Sequence, residues 1–153
     1  MADYSFRTLL KSTHEEAVKV PDIVSDIQVE ASLSDDETST FMLLLSEAVD
    51  NAIEHGNQYD PNKNVSVEIE ISNEEIVARI TDEGLGFDIE KPVSKNPLDQ
   101  ENLLNTGGRG IFIIQELSDS MEFLNNGSTL QFKINRGSWL LLHSSKNLFQ
   151  FTR

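Results

Sequence analysis

Residues 47–57 read Glu-Ala-Val-Asp-Asn-Ala-Ile-Glu-His-Gly-Asn, a glutamate, an asparagine and a histidine at four-residue spacing with alanines between, stopping on glycine. At 100° per residue, Glu47, Asn51 and Glu54 share one narrow strip of a helix. Leu45, Ala48, Val49 and Ala52 take the opposite side, free to pack on a sheet. A carboxylate and a carboxamide one turn apart can hold a hydrated divalent cation and orient a water or hydroxyl; Mg²⁺ favours such oxygen ligands and keeps waters and substrate phosphates in its shell. A solvated helix face is the other reading, and from this helix alone the two stand level.

Upstream, Ser34 stands three residues before Glu37 and ahead of an apolar run, the pattern of a capping box. The spacing predicts a helix from about 35 to 55, with Gly56 placed for a left-handed C-terminal cap. A short strand is expected at 4–10. Helical periodicity over 13–31 is interrupted at Pro21, so a break is expected near Val20. Downstream, Val65, Val67, Ile69 and Ile71 alternate with Ser66, Glu68, Glu70 and Ser72, a strand with one wet face, and a partner strand follows at 76–82.

The segment 82–88, DEGLGFD, follows directly on that strand. An aspartate there can accept a hydrogen bond from an exocyclic amine such as that of adenine, while Gly84 and Gly86 let the backbone bend or approach a flat ring. Taken alone, the segment reads better as a glycine turn closed by an Asx interaction. From 88 to 106 runs a long connection with two prolines, of the length expected for a functional lid or a disordered stretch. GGRG at 107–110 opens a helix whose N–H groups and dipole offer a phosphate site, or simply a capped loop; by itself Arg109 reads as a surface or partner contact. A hairpin turning at Asn126-Gly127 closes the pattern. The elements give an α+β chain with helices over one mostly antiparallel sheet.

Composition narrows the partners. The 153-residue chain suits one domain with a single core, here the span from about 5 to 136, with a tail at 137–153 of no assignable role. It has no cysteine, which removes disulfides and thiolate metal sites and fits a reducing compartment. No apolar run approaches the roughly 20 residues that span a bilayer, and the first residues lack a secretory pattern, so a cytoplasmic location is expected. Twelve basic against twenty-six acidic residues give a net charge of -14, which repels nucleic-acid backbones. A single nucleotide, held by backbone amides and a cation, is not excluded.

The three signals in this order resemble the Bergerat-fold, or GHKL, superfamily of gyrases, heat-shock chaperones, histidine kinases and mismatch-repair ATPases, and within it the small bacterial anti-sigma-factor serine kinases of RsbW type. Glu47, Ala48, Asn51, Ala52, His55 and Gly56 match the N box; Asp82, Gly84, Gly86 and Phe87 the first glycine box; Gly107 to Phe112 the second. The resemblance implies a two-layer α/β sandwich with a mixed, mostly antiparallel sheet, helices on one face and an ATP lid over 88–110. It implies ATP and Mg²⁺ as cofactors, Asn51 as the metal ligand and Glu47 as general base on a substrate serine. Asp82 would take the adenine amino group with Thr129 assisting through water, Gly84 and Gly86 would flank it, and Gly108, Arg109 and Gly110 would lie near the phosphates. His55 is expected to be structural, at the helix end.

The resemblance further implies phosphorylation of an anti-anti-sigma (STAS-type) protein, regulation of a sigma factor, and a homodimer. One departure stands out. Thr106 occupies the place where some members carry an arginine near the γ-phosphate; Lys91, Lys95 or Arg109 are the available substitutes. The alternative that this departure favours is a nucleotide-gated module that sequesters a partner without significant transfer.

Overall fold

The fold follows from one helical stripe meeting one apolar sheet face. A computed structural model of the chain describes residues 3–85 and 108–137. Strand β1 (Tyr4–Lys11) leads to a short helix α1 (His14–Ala17) and to α2 (Val20–Ala31). The periodicity interrupted at Pro21 resolves into these two helices, with the proline in the first turn of α2, where its missing N–H costs nothing. Val20, Val24 and Ile27 form the buried stripe of α2, and Ser32 ends it in a left-handed conformation at φ 55°.

Helix α3 (Asp35–Asn51) begins on the expected capping box. Ser34 Oγ accepts the Glu37 N–H at 3.1 Å, and the Glu37 carboxylate accepts the Ser34 N–H at 2.9 Å. Arg136, at the end of the last strand, adds a second tie: its Nε donates to Glu37 Oε1 at 2.9 Å and its Nη1 to the Ser72 carbonyl at 2.7 Å. At its other end α3 widens into a π-turn (Ala52–Gly56), closed by Asn57 N–H on the Ala52 carbonyl at 2.9 Å. Such five-residue turns recur at functional sites.

Strands β2 (Asn64–Ile71), β3 (Glu75–Thr81), β4 (Ser120–Leu124) and β5 (Thr129–Asn135), with helix α4 (Gly108–Leu117) before β4, complete the described elements. The five strands pair in the order β1-β2-β3-β5-β4, and every described pairing is antiparallel. Asn125, Asn126 and Gly127 all take positive φ in the short turn joining β4 to β5, so the hairpin forms with a longer connection than a two-residue turn.

Register sorts the side chains onto two faces. Phe6, Ile69, Ala78, Phe132 and Met121 lie in one row facing the helices. Leu45, Ala48, Val49 and Ala52 of α3 are buried as expected, and Phe41 of α3 meets Phe132 of β5 with ring centroids 6.4 Å apart. Ile111 and Ile114 bring α4 into the same core. The opposite face carries the row Arg7, Glu68, Arg79, Gln131 and Glu122. Arg7 pairs with Glu68 at 2.6 Å, Arg79 donates to Gln131 at 2.7 Å, and Gln131 donates to Glu122 at 2.7 Å. Opposite charges facing across strands support the sheet by tenths of a kcal/mol up to about 1 kcal/mol a pair. The result is the expected two-layer sandwich, helices on one side. Among the described residues no helix is long and apolar enough to cross a membrane.

Candidate active site

The C-terminal end of α3 and the turn after β3 face each other across a cavity of about 340 Å³, within the range of small-molecule clefts. Asn51, His55, Gly56, Gln58, Lys63, Asp82, Gly84, Leu85 and Gly127 line it. Asn51 and Asp82, separated by thirty-one positions in sequence, are thus brought to one space.

Asp82 sits at a strand end with its turn fully tied down. Its own N–H donates to the Ser128 carbonyl at 2.9 Å, and its Oδ1 accepts the Gly84 N–H at 2.8 Å. This is the Asx turn that the segment alone suggests, and the same carboxylate lines the cavity. Burial pushes the Asp82 carboxyl above its ordinary value, against the opposing pull of the Gly84 N–H and the Lys63 charge. An anionic acceptor in such a half-buried place makes stronger hydrogen bonds than one in water.

Gly56 does not form the left-handed cap that its position suggests; the positive φ values fall later, on Gln58 at 52° and Tyr59 at 57°. Its requirement is spatial. A Cβ on Gly56 would overlap the Asp82 carboxylate, and a Cβ on Gly84 would overlap the Gly56 carbonyl oxygen. Two backbones meet here with no room for side chains.

Glu47 lies one turn before Asn51 on α3, beyond the cavity-lining set and against the start of α4. A Cβ on Gly110 would come within 2.7 Å of Glu47 Oε2, which places the second glycine loop beside the carboxylate. Burial and the neighbouring Asp50 raise the Glu47 carboxyl, while the Arg109 charge pulls it down. Asp50 is raised too, by burial and Glu54, against the charge on His14. Gly108 opens α4 and Arg109 is exposed beside it.

Thr129 is placed differently. It is buried on β5, its hydroxyl within 2.9 Å of Thr81 Oγ1 and accepting from Asn125 Nδ2 at 3.0 Å, and it does not line the cavity. Gly86 and the segment 86–107, with Lys91, Lys95 and Thr106, lie outside the described residues, as does the tail from 138.

For a magnesium ion, the donor set on α3 is a hard carboxamide oxygen at Asn51 with the Glu47 carboxylate one turn away. No group of three or more His, Cys, Asp or Glu suited to a metal occurs among the described residues. One protein oxygen supplemented by phosphates and waters fits Mg²⁺, which dehydrates reluctantly, better than it fits a metal wanting an all-protein cage.

Sequence reading missed Gln58, Lys63 and Leu85 in the cavity wall and the buried carboxamide of Asn57 behind it. Gln58 owes its place to a left-handed backbone at a non-glycine residue. Lys63 is positioned by Ser12, whose N–H and hydroxyl donate to the Lys63 carbonyl at 3.2 and 2.8 Å. No local pattern announces either.

Several known proteins resemble this chain. An anti-sigma F factor of Oceanobacillus iheyensis is 35% identical over 92 residues, 59% of this chain and 62% of that protein. The serine-protein kinase RsbW of Staphylococcus aureus is 33% identical over 105 residues, 64% of this chain and 65% of that protein. The chain therefore spans a little under two thirds of the length of these relatives. A crystal structure of RsbU and RsbW domains from Mycobacterium tuberculosis superposes with a TM-score of 0.60 at 16% identity, over 86% of this chain and 32% of that one, a likeness of fold. Residues 10–134 match the histidine kinase-like ATPase domain. The chain belongs to the histidine kinase-like ATPase domain family.

Proposed function

We propose that the chain is an ATP-dependent serine-protein kinase acting as an anti-sigma factor, which phosphorylates a serine on an anti-anti-sigma protein of STAS type and thereby regulates a sigma factor. The observation that carries this reading is the convergence of Asn51 and Asp82 on one cavity, with Glu47 one turn further along α3 and against the glycine-rich start of α4. The names of the relatives supply the protein-level role.

In this reading the adenine amino group of ATP donates to Asp82 and the phosphates run along α3 towards Gly108 and Gly110. The N–H groups at the start of α4 would be their donors. Mg²⁺, held by the Asn51 carboxamide oxygen together with phosphate oxygens, would supply neutralisation of the phosphate charge. The substrate serine hydroxyl attacks the γ-phosphorus, the bond to the bridging oxygen of ADP breaks, and the hydroxyl proton passes to Glu47. A carboxylate raised by burial is a better proton acceptor than one in water. Positioning and charge neutralisation carry most of such a transfer. The functional unit is proposed to be a cytoplasmic homodimer in which residues 1–153 form one domain.

The test is incubation with Mg-ATP and a serine-bearing antagonist of STAS type, followed by phosphopeptide mapping. A phosphoserine that disappears in Glu47→Ala while ATP still binds supports the kinase. ATP binding with no phosphate on the antagonist would replace it with the nucleotide-gated sequestering module.

A further inference from the structure

Asn57 ends the stretch from which the sequence reading begins, and it is 1% exposed. Its carboxamide makes three hydrogen bonds to three separate segments. Nδ2 donates to Ser12 Oγ at 2.8 Å and to the Asn64 carbonyl at 3.0 Å, and Oδ1 accepts the Glu83 N–H at 2.7 Å. Ser12 passes its own hydroxyl hydrogen to the Lys63 carbonyl, and the Glu83 side chain accepts the Asn64 N–H. The end of β1, the start of β2, the end of α3 and the turn carrying Asp82 therefore meet on a single buried side chain that does not itself line the cavity.

We infer that Asn57 is a positioning residue for the carboxylate that reads the base: by holding the Glu83 amide it fixes the Asp82–Gly84 turn, and with it the direction in which Asp82 faces the cavity. The inference rests on the proposed role of Asp82. Asp82 Oδ1 is engaged by the Gly84 N–H, so the orientation of the carboxylate follows the backbone of that turn. The side chain of Asn57 offers two donors and an acceptor in one plane, matching a hydroxyl, a carbonyl and an amide hydrogen; aspartate lacks the donors and serine is too short. Hydrogen bonds weaken steeply when distance and angle drift, so a small displacement of the turn is enough to spoil recognition of a purine amine.

The experiment is titration of ADP and inosine diphosphate, which carries an oxygen in place of the 6-amino group, into the parent, Asn57→Ala, Asn57→Ser and Ser12→Ala, with a thermal-unfolding curve for each. The parent is expected to prefer ADP by about tenfold or more, the worth of one charge-assisted hydrogen bond. Asn57→Ala should bring the two ligands close to parity; Asn57→Ser, a milder change, carries the same test if the alanine variant does not fold. Ser12→Ala removes two bonds of the same network on the side away from Asp82, leaves the Asn57 Oδ1 bond to the Glu83 N–H, and should lower thermal stability while keeping the preference. Retention of the preference in the Asn57 variants, or its equal loss in Ser12→Ala, would overturn the inference. A parent with no preference for ADP would instead overturn the reading of Asp82, and this inference with it.

Discussion

The two ends of α3 use acidic side chains for opposite purposes. At the N-terminal end Glu37 accepts the Ser34 N–H and faces the Arg136 guanidinium; burial alone would raise its carboxyl, and the cation and the amide outweigh that and hold it below the ordinary glutamate value of 4.5. At the other end Glu47 and Asp50, with Asp82 across the cavity, are all raised, chiefly by burial. The first acid is satisfied and holds the fold together. The others are raised beside the cavity and the start of α4, a pattern common among acids at functional sites. The π-turn, the close glycine contact and the Asn57 network hold this end in place.

Substitutions should separate the two ends. The largest effect is expected from Glu47→Gln, which keeps the shape and removes the proposed base: phosphotransfer should fall by about 10²–10⁴-fold with ADP affinity unchanged, read by phosphopeptide yield and calorimetry. Arg136→Ala should do the reverse. It leaves Glu37 buried without its cation and should cost about 3 kcal/mol of stability in denaturant unfolding, with nucleotide affinity retained in the folded protein. Ser34→Ala removes only the cap and should cost about 1 kcal/mol.

The smallest effects are in pH dependence, where the ends differ in sign. The contribution of Glu37 is fully present above 4.5 and is lost as pH falls through its lowered folded value. Glu47 and Asp82, with folded values above 4.5 and 3.8, favour the folded state at acid pH and lose that contribution as pH rises through the raised values. Thermal unfolding across this range should therefore show Asp82→Asn and Glu47→Gln gaining on the parent towards neutral pH, and Arg136→Ala approaching the parent on acidification.

How much of this was legible depended on whether the cause was local. The alternation from Val65 to Ile71, the capping box at Ser34 and Glu37, and the stripe of Leu45, Ala48, Val49 and Ala52 are set by period-two and period-3.6 geometry, and the elements form where those patterns lie. The spacing of Glu47 and Asn51 likewise gave their shared strip. Gly56 was misread because its reason is tertiary: the Asp82 carboxylate occupies the space of its missing Cβ. Asn57 had no local signal at all, since its partners Ser12 and Glu83 lie forty-five and twenty-six positions away. The burial of Thr129 on β5, its hydroxyl against Thr81 across the register, is likewise set by tertiary pairing rather than by local pattern.

The central claim is that the cavity between α3 and the turn after β3 binds an adenine nucleotide through Asp82. Calorimetric titration of ADP and GDP into the parent and into Asp82→Asn tests it most directly. The account predicts that the parent selects ADP and that the substitution removes about 1.5–3 kcal/mol of ADP affinity while the protein stays folded. Equal binding of both nucleotides by parent and variant would contradict it.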